Sequence, residues 1–476
     1  MRLAIVHYHL RRGGVTRVIE TAISALTRNG FAGEIVVLTG EAPAGNSPLA
    51  HCHQVVPGLG YWNRLDDANA PEPLASHLID AASTALGGPP ELWHFHNHSL
   101  GKNVATPAVV SHLVSEGARV LLQIHDFPED GRPENFRRQR DAIDPVKIAW
   151  YPDAPQVHYA VLNRRDARFL SLTGLPETRL HLLPNAVSPP PEPSEEFDAK
   201  TLGLKAPMIL YPTRAIRRKN LGELLLLAAL DGGRHTFAPT LIPENPEWLA
   251  IHDRWQSVAA RHRLPVHLGI TMDSTVPFGD WIAAAESLIT TSVAEGFGLA
   301  FLEPWLAGKT VVGRDLPDIT GDFFDQGVAL DRLYRRLELP VSWIDSNALQ
   351  SKLEAGLSQA FRSYDRPLPD DAVERAYMAA VADGNVDFGR LDEELQEGVL
   401  DSLLNRRGMG ADLDFPDFSP APDAQLSQNA AAIESAYGEE SYGSALMTIY
   451  QSILDSPVTD AGFLDGGRLL DSFLDP

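Results

Sequence analysis

Glu295 and Glu303 enclose seven residues in the stretch EGFGLAFLE, where Gly296 and Gly298 border a phenylalanine. An ionised carboxylate accepts two hydrogen bonds side by side, so two carboxylates near one turn suit vicinal hydroxyls. Glycines let backbone amides come close to a ligand, and amides at a helix start attract phosphate. Upstream, YPTRAIRRKN sets Arg214 and Lys219 five apart with Arg217 and Arg218 between them. A guanidinium offers forked hydrogen bonds and an ammonium a point charge, a combination suited to a diphosphate. Near the N-terminus, RRGGVTRV puts Gly13 and Gly14 between an expected strand and an expected helix, where a ligand can approach the backbone.

Histidines raise the question of a metal. HFHNH places His94, His96 and His98 on alternate positions, which share a face if the strand runs through them. Same-face neighbours on a strand lie about 7 Å apart, long for three ligands on one ion. No metal is therefore expected at these histidines. Cys52 is the single cysteine, and its HCH neighbours, being adjacent, cannot all point at one ion. No intramolecular disulfide can form, so a reducing, cytoplasmic setting is expected.

The elements that must hold these residues repeat as buried strand and amphipathic helix. LAIVHY, EIVVLTG, LWHFHN, RVLLQIHD, VHYAVLN and LHLLPNAV read as strands, with helices over VTRVIETAISALTRNG, about 72–86, about 104–114 and RRDARFLSLTG. NAVSPPPEPSEEFDAK then has the extended composition of a linker. Beyond it the pattern restarts with strands PMILYPT, TFAPTLIP, PVHLGI, SLITTS and TVVGRD, and a helix starting near Leu299 places Glu303 about a turn inside it. Buried strands separated by helices imply parallel sheets covered on both faces, with ligands beyond the strand C-termini. The expected organisation is one such domain over 1–187, a linker over 188–206, a second domain with a helical insertion over 207–436, and a C-terminal helix with an acidic tail over 437–476.

The chain has 476 residues and a net charge of −23, which argues against the basic footprint of a nucleic-acid binder. From Leu391 to the C-terminus, 17 acidic residues face 3 basic ones. No window reaches the eighteen or so apolar residues of a membrane span, and the N-terminal run is expected to be a first strand and not a signal peptide.

The second half resembles the nucleotide-binding domain of retaining glycosyltransferases of the GT-B fold, family 4 type. EGFGLAFLE matches that family's two glutamates separated by seven residues, PWLAGKTVV its continuation, and MTIYQSIL its closing helix. The resemblance implies two doubly wound, Rossmann-like α/β domains facing across a cleft, with a helical C-terminal extension. It implies that the first domain is the acceptor side and that the second binds a nucleotide sugar. It implies that Glu303 holds a ribose and Glu295 a hexose, with the amides of Gly296, Phe297, Gly298 and Leu299 beside them. Arg214 and Lys219 match the diphosphate pair, Gly13 and Gly14 the glycine loop, and His125 in QIHDF a histidine close to the donor sugar. Arg214, Lys219, Glu295 and His125 are thus the expected catalytic set. His94, His96, His98, Lys102 and Asp126 are expected on the acceptor side. The family often carries glycine before the arginine and after the lysine, where this chain has Thr213 and Asn220.

The function expected is metal-independent, cofactor-free transfer of a hexose, with retention, from a nucleoside-diphosphate sugar to a small soluble acceptor. HFHNH, Lys102 and RPENFRRQR form a local basic site that suits an anionic acceptor. A monomer or homodimer is expected. A sugar-nucleotide epimerase, a phosphorylase-like enzyme and a non-catalytic nucleotide-sugar-binding subunit share the fold and stay open as alternatives.

Overall fold

The structure is a computed structural model that describes every residue except 12, 44, 46, 66–69, 144–148, 196, 199–201, 204–205, 273, 406–412 and 476. The chain divides into two compact units, one of 1–186, 358–368 and 437–476, the other of 187–357 and 369–436. The division places 358–368, which the sequence pattern assigns to the second domain, with the first.

In the first unit the chain runs β1 (Arg2–Val6), α1 (Gly14–Arg28), β2 (Glu34–Thr39), β3 (His53–Val55), α2 (Pro71–Leu86), β4 (Leu92–His96), α3 (Thr106–Ser115), β5 (Val120–Ile124) and α4 (Pro133–Ile143). It continues through β6 (Pro152–Asp153), β7 (Val157–Val161), α5 (Arg164–Ser171) and β8 (Leu180–Leu182). Seven strands form a sheet in the order β3-β2-β1-β4-β5-β7-β8, parallel throughout. β4, β5 and β7 are buried along their whole length, as strands covered on both faces must be.

The second unit runs β9 (Met208–Arg214), α6 (Leu221–Asp231), β10 (Thr236–Leu241), α7 (Pro246–His262), α8 (Phe278–Ala284), β11 (Ala285–Thr290), α9 (Glu303–Leu306), β12 (Thr310–Arg314), α10 (Pro317–Asp325) and β13 (Leu333–Tyr334). Its parallel sheet has the order β10-β9-β11-β12-β13. PVHLGI, expected as a strand, makes only the bridge of Phe237 to Val266, because the chain turns at Gly269 with φ +76.

Most of the segment beyond β13, 358–368 excepted, belongs to this unit. It supplies β14 (Glu338–Pro340), α11 (Ser346–Ser363), α12 (Ala372–Ala380), β15 (Val381–Ala382), β16 (Asn385–Asp387), α13 (Glu393–Asn405) and α14 (Asp423–Tyr437). Leu339, Phe388, Leu400 and Phe418 pack with Ile209 and Tyr211 of β9 and the leucines of α6. A buried Arg314 at the end of β12 donates to Glu223 of α6 at 3.0 Å and to Asp387 of β16 at 2.8 Å, tying three elements together.

The chain then returns to the first unit as α15 (Glu439–Leu454), β17 (Gly462–Phe463) and α16 (Gly466–Leu474). Leu446, Tyr450 and Ile453 of α15 bury against α1 and β1. β17 pairs with β6, and Leu469 and Leu470 of α16 are buried, so the acidic tail packs on its unit.

Described residues of the linker stretch dock on their own unit. The Ser194 amide and hydroxyl both donate to Asp280 of α8, at 2.6 and 2.9 Å.

Candidate active site

In an open parallel sheet the crevice for a ligand lies where strand order reverses and neighbouring loops diverge. That reversal falls between β9 and β11 in the second unit and between β1 and β4 in the first. Lys219 and Glu295 lie at the first of these places, and Gly13, Gly14 and His125 at the second.

In the second unit, the turn after β9 and the loop after β11 are stitched together. Val293 N donates to the Arg218 carbonyl at 2.9 Å, and the Thr291 hydroxyl to the Lys219 carbonyl at 2.9 Å. The buried Tyr211 hydroxyl lies 2.9 Å from Ser292 and also reaches the Lys219 carbonyl. Lys219 is thereby set against Glu295, with which it forms an ion pair. Arg218 reaches the other Glu295 oxygen at 3.3 Å and the Ala294 carbonyl at 3.2 Å. Burial holds the Lys219 ammonium below its usual pKa, against the opposing pull of Glu295. Arg218 was seen in the sequence only as a member of a basic cluster, and nothing in its spacing singles it out.

Arg214, at the end of β9, is paired with Glu244 and sits apart from that cluster, while Arg217 pairs with Glu393. Arg217 and Arg218 also line a pocket of about 430 Å³ walled by Trp248, Ile251 and Trp255.

Around the glycines the chain does not enter a long helix at Leu299. A 3-10 turn spans Leu299–Phe301, and Glu303 is the first residue of α9. Pro304 lacks an N–H and fits only the first turn of a helix, which sets this start, while Gly298 ahead of the 3-10 turn has φ +92 and an added Cβ there would lie 2.9 Å from the Phe301 ring and 3.0 Å from Ile319. Phe297 is buried, edge-on to Phe323 at 5.7 Å, so its ring belongs to the core and its backbone faces the turn beside Glu295.

In the first unit, Gly13 is fully extended and α1 begins at Gly14 without a side-chain cap. A Cβ on Gly14 would meet nothing within 4 Å, which leaves room beside the open amides of α1. Beyond β1, β4 and β5 lies a chain of imidazoles. His7 stands 3.4 Å from the His96 carbonyl, and His96 Nδ1 lies 2.9 Å from His125 Nε2, with the two rings stacked. Asn97, at φ 55, accepts from the amides of His125 and Asp126 at 2.7 and 3.1 Å, which fixes both residues. Burial lowers the pKa of His125 and of His96, so the pair is neutral near pH 7.

The left-handed Asn97 also ends the strand, so the three histidines do not share one face. His94 and His96 stack at 4.3 Å, whereas His98 leaves the strand and bonds the Trp150 carbonyl at 2.9 Å. His94 is fully buried between the Tyr450 hydroxyl at 2.8 Å and Gln123 at 3.0 Å. His94 and His98 thus lie inside the unit. Asp126 is half exposed and bonded to Arg132 at 2.5 Å. Lys102 lies in a groove with Tyr61 and Arg138.

No family model matches the chain. It is 26% identical over 386 residues to a mannosylglucosyl-3-phosphoglycerate synthase of Petrotoga mobilis, spanning 75% of this chain and 73% of that protein. The structure is similar to sucrose-phosphate synthase of Thermosynechococcus elongatus, with a TM-score of 0.53, 14% identity, and coverage of 95% and 98% of the two chains. A glycosyltransferase from Rickettsia africae gives 0.51, with 12% identity and the same coverage. The chain therefore has the α/β fold of GT-B glycosyltransferases with a helical C-terminal region. Together with the sequence similarity, the fold supports a glycosyltransferase. Among the described residues no helix is long and apolar enough to cross a membrane.

Proposed function

We propose that this protein is a metal-independent, retaining glycosyltransferase of family 4 type that moves a hexose from a nucleoside-diphosphate sugar to a small, soluble, anionic acceptor in the cytoplasm. The observation that carries the reading is the ion pair of Lys219 with Glu295 and its neighbour Arg218, held by main-chain bonds at the switch point of the second sheet. With donor bound, Lys219 and Arg214 turn to the diphosphate, and Glu295 and Glu303 accept from hexose and ribose hydroxyls. The acceptor oxygen attacks the anomeric carbon on the face from which the diphosphate departs. The carbon to phosphate-oxygen bond breaks, and the departing phosphate oxygen takes the acceptor's proton. Cations fixed beside that oxygen stabilise the charge as it develops. Neutral His125 offers a hydrogen bond to the sugar without adding charge. The relative's name supports the acceptor class, since a mannosylglucosyl-3-phosphoglycerate carries phosphate and carboxylate groups.

A thermal-shift screen of nucleoside diphosphates and their sugars names the donor, since a bound ligand raises the melting temperature by mass action. With donor in hand, Lys219→Ala and Arg214→Ala are each expected to lower kcat by about 10²–10³, the scale for losing one group that stabilises developing charge. Near-wild-type turnover in both variants rejects the assignment. An NMR spectrum of the product that shows an inverted anomeric centre rejects retention, and loss of activity in EDTA rejects metal independence.

A further inference from the structure

A groove of about 770 Å³ in the first unit is walled by Tyr61, Arg64, Lys102 and Arg138, with the backbone of Gly101 at its base. Among the described residues, three cations and no carboxylate line it. In a chain with 63 acidic and 40 basic side chains, such a grouping needs a cause. Of the nearby carboxylates, Asp126 binds Arg132 at 2.5 Å, and Glu134 pairs with the groove's own Arg138 at 3.1 Å, a solvent-exposed pair one helical turn apart that an anion can replace. Burial and the charges of Arg138 and Arg132 hold the Lys102 ammonium below its usual pKa, with Asp126 and Glu134 opposing. Among the described residues no carboxylate reaches Lys102, whose ammonium sits 5.3 Å over the Tyr61 ring.

The local chain is built to make this approach. Gly101 has φ +70, and a Cβ there would lie 2.3 Å from the Asn135 carbonyl of α4, so only glycine lets the Lys102 loop close against the helix that carries Arg138. Tyr61 also connects the groove to the reactive edge of the sheet. Its hydroxyl lies 2.9 Å from His9 Nε2, and His9 packs on His7 behind the His96 and His125 pair. An anion held in the groove would leave the rest of a small molecule pointing along that imidazole row.

We propose that Lys102 and Arg138, with the Tyr61 face beneath, form a subsite for the phosphate or carboxylate of the acceptor. The assignment of that anion to an acceptor rests on the glycosyltransferase reading; the binding of an anion does not. Arg138 can fork two hydrogen bonds to the anion while Lys102 supplies a point charge already part-stripped of water.

The test titrates the full chain calorimetrically with inorganic phosphate, D-glycerate and glycerol. Binding of at least one anion, with none of glycerol, is expected, and the tighter anion identifies the group. The Lys102→Met and Arg138→Met double variant is expected to lose at least tenfold in affinity, while Lys102→Arg keeps binding within threefold. A wild-type chain that takes up neither anion at millimolar concentration, or a double variant that binds as tightly as wild type, overturns the subsite. UDP and GDP titrations of the same variants read the second unit separately. Failure of both nucleotides to bind wild type counts against the glycosyltransferase reading and leaves the anion result standing.

Discussion

Asn220 shows how a departure from a pattern becomes intelligible one residue at a time. It stands at φ 50 and ψ 57, the left-handed region that glycine favours and asparagine tolerates best among the others. Its side chain is then used, donating to Glu223 at 2.9 Å and accepting from Gln396 at 2.9 Å, two bonds a glycine could not make. The identities and spacing of Lys219, Glu295 and Glu303 were legible because the chemistry is carried by residue type. The pairing of Arg214 with Glu244 was not, since Glu244 belongs to the loop after β10 and nothing local links the two. Glu129 is a second residue that sequence could not mark. It is buried with both oxygens 3.0 Å from the Tyr151 hydroxyl, and burial pushes its carboxyl up to about 8. An unfolded glutamate ionises near 4.5, so between that value and 8 the native state holds a proton that the unfolded chain lacks. The stability it contributes is complete below 4.5 and is lost as pH rises towards 8. His7 and His94 act oppositely, because burial lowers both to about 3 from 6.5 and stability is lost as pH falls below 6.5. The melting temperature of the wild-type chain should therefore peak near pH 6.5. In Glu129→Gln the decline between pH 6.5 and 8 should flatten while the acid limb stays. A calorimetric decline parallel to wild type in that range assigns the loss to another group.

Elements with a strong period were legible and short ones were not. β1, β2, β4, β5 and α1 carry runs or stripes of apolar residues, whereas β3 and β13 to β16 have two or three residues each, too few for a period to register. The stretch from β14 to α14 is therefore expected only as a helical insertion of the second domain, and the structure adds that Leu339, Phe388 and Leu400 are core residues of that unit. α15 was visible by its periodicity, but its partners were not, because hydrogen bonds across 356 positions leave no local trace. Its Tyr450 hydroxyl meets His94, and its Tyr442 hydroxyl lies 3.4 Å from the Gln123 amide, so α15 completes the polar interior of β4 and β5. Tyr450→Phe keeps the ring and removes the partner of His94 Nδ1. A buried group left unsatisfied costs about 1–3 kcal/mol, so a lower urea midpoint with an unchanged m-value is expected. An unchanged midpoint removes the hydrogen bond from the account of how this helix is held.

At the scale of the whole chain, the first unit is discontinuous, and its terminal segment is not optional. Residues 437–476 supply Tyr442, Leu446, Ile449, Tyr450 and Ile453 to one core cluster and Leu464, Leu469 and Leu470 to another. Loss of those eight buried side chains, each worth about 1.5–3 kcal/mol when fully buried, removes as much as or more than the 5–15 kcal/mol by which a domain is usually stable. Among the described residues, the core clusters of the second unit contain no residue of 437–476. A chain cut after Ala436 should thus unfold one unit and keep the other. Hydrogen exchange is expected to show β1, β2, β4 and β5 amides unprotected in the truncated chain and β9, β11 and β12 amides protected, with protection in the second group rising on addition of the nucleoside diphosphate that binds the intact protein. If all strands stay protected, the closing segment is an accessory. If all lose protection, the two units fold as one cooperative body, and the ligand sites described for each cannot be separated by truncation.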